Sequence, residues 1–128
     1  MARYEHIAIF QSAYALTLEI YKTTKNFSKE HKYTLGERLK NIAHELLDWV
    51  IKTNNMPGKE KLEGIEKIDN KKEELRILLR LAHDLKIISH GHLGVFNEKI
   101  EEIGKQAGGW SKWIVSNPKQ APSNNNDA

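Results

Sequence analysis

The sequence predicts an all-α protein, an antiparallel up-down-up-down four-helix bundle, and three observations carry that prediction. Apolar residues recur three or four apart in four successive stretches, the period of a helix with one buried face. Short polar or Gly/Pro-bearing breaks separate the stretches, and no segment alternates apolar and polar residues as a half-buried strand does. Helices with short connections pack side by side around one core. At 128 residues the chain is long enough for a single such core, so a bundle over 1–116 and a disordered polar tail over 117–128 account for it.

The first helix is expected from Arg3 to Lys25. Ile7, Phe10, Tyr14, Leu18 and Tyr21 form its stripe, and Ile9, Ala13, Leu16 and Ile20 widen it. Asn26-Phe27-Ser28 interrupts it. The segment from Lys22 to Lys40 then holds six Lys/Arg against Glu30 and Glu37, a local excess of four positive charges on a chain whose net charge is +3. A solvated, lysine-rich connection is the simplest account of that excess. The second helix runs from Lys32 or Thr34 to Thr53, with Thr34 and Glu37 spaced as a capping box. Leu35, Leu39, Ile42, Leu46, Trp49 and Val50 face inward, while Ala43, Leu47 and Ile51 broaden the apolar arc. Asn54-Asn55-Met56-Pro57-Gly58 ends it, since Asn tolerates left-handed geometry and Pro cannot continue the ladder.

The third helix spans Lys59 to Ile88. Its first half alternates charge signs as a solvated face does. In its second half Leu75, Leu78, Leu79, Ala82 and Leu85 line one face at about 100° per residue. Lys72, Arg76, Arg80 and His83 form a basic ridge beside them, and Ile77, Leu81 and Ile88 extend the apolar arc beyond what one neighbouring helix covers. That surplus predicts a subunit contact and a stable oligomer. Arg76 and Arg80, four apart, suit neighbouring phosphates or a carboxylate pair; with Glu73 and Asp84 within a turn, the competing reading is a salt-bridged surface. Ser89 is the expected N-cap of the fourth helix, which continues through Leu93, Phe96, Ile100, Ile103, Ala107, Trp110 and Ile114 to about Val115, with an early end or kink possible near Gly108. Trp110 falls on the core stripe, and Trp113 is the aromatic left for an exposed contact.

The same residues argue against most chemistries. With no cysteine, disulfides, thiolate metal sites and cysteine nucleophiles drop out, which fits a reducing, cytoplasmic setting. The N-terminus has no apolar signal core, and no run approaches the ~18 apolar residues of a membrane span. A di-iron bundle needs Glu three residues before His, whereas Arg3, Ser28, Asn41, Arg80, Ile87 and Ser89 precede the six histidines. His44-Glu45 lacks the second histidine of a zinc-protease helix, and His90-Gly91-His92 offers at most an adventitious chelate. There is no phosphate-binding Gly-rich loop and no paired nucleophile and base. No metal, cofactor or catalytic residue is expected, and binding is the activity that remains.

The segments Tyr33-Thr-Leu-Gly-Glu-Arg-Leu-Lys-Asn41, Asn54-Asn55, Glu74-Leu-Arg-Ile-Leu-Leu-Arg-Leu-Ala-His-Asp-Leu-Lys86 and Ile103-Gly-Lys-Gln-Ala-Gly-Gly-Trp110, in this order, resemble the accessory variability determinant (Avd) proteins of diversity-generating retroelements. These belong to a wider group of four-helix bundles that includes proteins encoded in intervening sequences of bacterial large-subunit ribosomal RNA genes. The resemblance implies a homopentameric, basic, non-catalytic scaffold that binds the retroelement reverse transcriptase and template RNA, with DNA as a further partner, and supports cDNA synthesis in mutagenic retrohoming. It matches Arg38 and Lys40 in the second helix and Arg76 and Arg80 in the third to basic family positions. Five copies at +3 each would carry about +15. An RNA-binding bundle of the ribosomal type and a purely structural oligomeric adaptor are the alternatives.

Overall fold

The structure, a computed structural model, describes residues 7–117. Helix α1 (Ala8–Thr24) leads through the single turn α2 (Lys29–Lys32) to α3 (Leu35–Asn55). A 3-10 turn (Gly58–Glu60) then opens α4 (Lys61–Asp84), and α5 (His90–Ser116) closes the order. Among the described residues there is no strand. The four long helices pack cyclically, α1 against α3 and α5, and α4 against the same two. Between them lies one core in which Leu16, Ile20, Leu39, Leu46, Ile68, Leu75, Leu79, Phe96 and Ile103 are fully buried. Each such side chain stabilises the fold by about 1.5–3 kcal/mol relative to exposure. The expected tail lies outside the described residues except for Asn117.

Several local expectations need correcting. Ile7 is extended and α1 starts at Ala8, not Arg3. Its inward face is Ile9, Ala13, Leu16 and Ile20, while Tyr14, Leu18 and Tyr21 are exposed. Both stripes have helical period; the wholly aliphatic one is buried, and the tyrosines keep their hydroxyls at the surface. Phe27, expected to be part of the break after α1, is itself buried. The capping box does not form. Thr34 Oγ1 donates to the carbonyl of Glu30 at 2.9 Å, closing the α2 turn, and Glu37 pairs with Lys40.

Helix α4 stops at Asp84 rather than Ile88. Lys86 adopts φ 63°, its N–H donates to His83 at 2.9 Å, and the Ile87 N–H donates to Ala82 at 2.8 Å, the paired bonds of a Schellman end. The turn swings Ile88 into the core and leaves Leu85 exposed, reversing both assignments. Ser89 does cap α5, its Oγ accepting from the His92 N–H at 3.0 Å. That helix runs through Gly104, Gly108 and Gly109 without a break.

Two residues bind α3 to α4 in ways their types alone do not announce. Gly64 is buried, and a Cβ placed there would lie 2.8 and 2.9 Å from Cβ and Cγ2 of Thr53. Gly64 therefore permits direct contact between the helices, and this explains a glycine that costs roughly 1 kcal/mol in helix propensity. Lys61 belongs to the alternating charges expected to be solvated, yet it is buried. Its ammonium donates to the carbonyls of Thr53 at 3.3 Å, Asn54 at 2.9 Å and Met56. It thereby satisfies carbonyls left open at the α3 C-terminus, and burial pulls its pKa below the ordinary lysine value.

Gly64→Ala tests the close approach. On an open helix surface the substitution would stabilise; here it should lower stability by about 1–3 kcal/mol through overlap with Thr53, seen as a lower thermal midpoint by circular dichroism. A raised midpoint would show that the helices do not meet there.

Candidate nucleic-acid interface

The basic ridge of α4 exists, but its four groups share three carboxylates, Asp69, Glu73 and Asp84. Lys72, only 16% exposed, sits 2.9 Å from Asp69 and 3.7 Å from Glu73. Its ammonium also occupies the space beside Gly104 of α5, 3.3 Å from where a Cβ would stand. Arg76 grips Glu73 with two prongs, Nη2 to Oε1 at 2.7 Å and Nε to Oε2 at 3.1 Å. The hydrogen bonds from Arg76 hold the Glu73 carboxyl below the usual carboxylate range, and the same bonds raise Arg76 further. Arg80 reaches Asp84 loosely, at 3.8 Å, with 75% of its side chain exposed. His83 Nδ1 lies 3.1 Å from Asp84 Oδ1, and its ring centroid is 5.6 Å from that of His90. Of the ridge, Arg80 is the cation most open to a new partner.

The apolar residues beside the ridge divide cleanly. Ile77 is 59% exposed and Leu81 44%, forming a strip along the outer face of α4 that Leu85, 53% exposed, continues just past its end, whereas Ile88 packs inside the bundle. Arg38, on the exposed face of α3, makes no ion pair among the described residues. Lys40 lies 3.3 Å from Glu37 and stands over the Tyr21 ring, 5.4 Å from its centroid.

A second basic surface lies where α1 ends and α3 begins. Tyr21, Lys22, Thr24, Lys25, Lys32 and Lys40 line a cleft of about 410 Å³. The charge excess between Lys22 and Lys40 announces it in the sequence, but the assembly of its lysines around one hollow depends on the α2 turn bringing Lys32 back beside α1. Tyr21 is fixed by its hydroxyl, 2.6 Å from His44 Nε2, and by the edge-on packing of the two rings.

The remaining candidates resolve individually. The pair His90 and His92 is split: His90 faces His83, while His92 stacks on Phe96 and lies 3.0 Å from Thr23 Oγ1 and 3.4 Å from Glu19 Oε2. Among the described residues no group of three His, Asp or Glu side chains converges as metal ligands would. Trp110 packs against the core and also lines a cavity of about 280 Å³ with Ile7, Asn54 and Gln106, while Trp113 is exposed. No described helix is long and apolar enough to cross a membrane.

Such a molecule is a helical bundle whose distinctive chemistry is displayed on its outer faces as paired and unpaired charge. Residues 7–114 match the model of the family described as bAvd-like, and the chain belongs to that family. No curated protein matches the chain.

The Glu73–Arg76 pair has a pH signature. A carboxylate with a depressed folded pKa contributes stability that is present above its unfolded value near 4.5 and lost as pH falls through the folded value. The pair is exposed, so screening keeps that contribution small. By carbon-13 NMR the Glu73 carboxyl should titrate below 4.5, and in Arg76→Ala its midpoint should return toward 4.5.

Proposed function

We propose that this protein is a non-catalytic accessory factor of a diversity-generating retroelement: an oligomeric basic scaffold that binds the element's reverse transcriptase and its template RNA, or DNA, in the cytoplasm during cDNA synthesis. Membership of the bAvd-like family over residues 7–114 carries this reading. The bundle is the antiparallel up-down-up-down form. In support, Thr53 meets Gly64 while Glu45 meets Lys71, so residue numbers run in opposite directions along the α3–α4 contact.

The outer face of α4 suits a protein partner. Its exposed strip Ile77, Leu81 and Leu85 lies beside charges already paired, the mixture of apolar anchors and polar rim found in protein interfaces. A second strip, Tyr14 and Leu18, lies on α1, a helix that follows a different edge of the bundle. Two unlike strips favour head-to-tail association, which closes into a ring when the rotation permits; a homopentamer fits that geometry. Arg80, with Arg38, supplies open cations at the rim, whereas Arg76 contributes as a guanidinium oriented by Glu73.

Co-expression with the reverse transcriptase of the same element, followed by affinity purification, tests the reading. The polymerase should co-purify with the wild-type chain, and its absence would refute the accessory role. A further expectation concerns assembly: the wild-type should scatter light as an oligomer, and Ile77→Asp with Leu81→Asp should give a folded monomer by buried-charge cost at the contact. A monomeric wild-type at micromolar concentration would overturn the ring.

A further inference from the structure

We infer that the cleft between the end of α1, the α2 turn and the start of α3 is a binding site for the phosphodiester backbone of RNA, distinct from the α4 ridge. This deepens the accessory-factor reading and rests on it.

The contrast between the two basic surfaces carries the inference. On α4, Lys72 and Arg76 are paired with Asp69 and Glu73, Lys71 is held between Glu45 at 2.7 Å and Glu74 at 3.4 Å, and Arg80, the most open of them, still has Asp84 at 3.8 Å. In the cleft, Lys22, Lys25, Lys32 and Lys40 gather without a carboxylate among the lining residues. Lys40 alone has an acidic partner, Glu37, one turn before it on α3; Lys22, Lys25 and Lys32 make no ion pair among the described residues. The partial negative charge at the α1 C-terminus favours Lys22 and Lys25 nearby, but it acts within one turn and does not account for Lys32 and Lys40 arriving from α2 and α3. Uncompensated like charges around a hollow repel in the free protein and are relieved by an anion that spans them.

The lining chemistry favours phosphate over an acidic protein segment. Four ammoniums are point-charge donors suited to oxygens presented in several directions, and the cleft holds no arginine fork for a carboxylate. Protein segments are held by apolar anchors in desolvated pockets, and here the sole aromatic is Tyr21. Its hydroxyl is tied to His44 and Lys40 stands over its ring, so it is a fixed wall that a sugar or base can lie against while phosphates meet the lysines. Contacts of this kind are sequence-independent and strongly salt-dependent.

The test uses the full chain and a fluorescein-labelled, mixed-sequence single-stranded RNA of 20 nucleotides, read by fluorescence anisotropy at several KCl concentrations. Three variants are compared with wild-type: Lys22→Gln/Lys25→Gln/Lys32→Gln, the same three positions changed to Arg, and Arg76→Ala/Arg80→Ala. These cleft lysines are surface residues and glutamine keeps most of the stem, so circular dichroism should show an unchanged fold. The glutamine variant should bind at least about tenfold more weakly at low salt, with the slope of log K against log salt shallower by about 2, from roughly 0.7 per lost single-strand phosphate contact. The arginine variant should retain binding, and the α4 variant should change affinity by less than about threefold. If the wild-type binds and the glutamine variant matches it in affinity and slope, the cleft assignment fails while a nucleic-acid-binding accessory factor stands. Unchanged RNA binding with loss of reverse-transcriptase co-purification would make the cleft a protein contact and overturn the phosphate assignment. If the wild-type binds no RNA, the cleft assignment and the RNA part of the accessory reading fall together.

Discussion

The close contact of α3 with α4 at Thr53 and Gly64 is the constraint on which the charged surfaces depend. A glycine at that point lets two backbones approach until a threonine side chain fills the space a Cβ would take. The contact fixes axial register, because sliding either helix by a turn would bring a larger residue into the gap. Lys61 reinforces the register from the other side by donating to three carbonyls at the end of α3. A lysine pays a desolvation cost in such a place, which its lowered pKa records, and hydrogen bonds to otherwise open carbonyls offset it.

From that register the pairing of α4 follows. Lys71 comes opposite Glu45 of α3, and Lys72 comes over Gly104 of α5, each ending against a carboxylate. Arg76 and Arg80 are one and two turns farther along, where Glu73 of the same helix grips the first and Asp84 reaches the second at 3.8 Å. The helix thus balances its own charge locally, and its exposed apolar strip becomes the more distinctive feature. At the far end of α3 there is no such balance. The α2 turn, closed by Thr34 on Glu30, folds the lysine-rich connection back on α1, and charge spread along the sequence becomes charge facing one cleft. The result is a molecule with two unlike outer surfaces, an apolar strip beside paired charges and a cleft lined by lysines.

What could be read from the chain and what could not divides along a physical line. Helix existence, the number of long helices and most of the α3 and α5 inner faces were legible, because apolar period is a local property and Leu39, Ile42, Leu46, Phe96, Ile100 and Ile103 have no competing stripe. In α1 two stripes compete, and the choice of Ile9, Ala13, Leu16 and Ile20 over the tyrosines depends on which neighbours are available. The α4 terminus is hidden from the sequence for a similar reason. Lys86 takes a left-handed conformation that its residue type disfavours, and it is held there by carbonyls of the preceding turn and by burial of Ile88. The basic ridge was visible as a spacing of four, but spacing cannot distinguish an open arginine from one gripped by a glutamate.

By itself the sequence determined an all-helical chain with four amphipathic helices, capped at Ser89 and broken at Asn54–Gly58, and it carried the residues of the bAvd-like family. These are short-range matters: propensity, period, caps and turns act within a few residues. The tertiary structure alone decided which charges are spent and which remain. An ammonium is neutralised or left open according to what lies a few ångströms away across a helix contact, and that distance is set by packing between residues remote in sequence. Lys61 became a buried cap, Lys72 a packed ion pair, and Lys22, Lys25 and Lys32 the open wall of a cleft, though the sequence presents all of them as lysines of one kind.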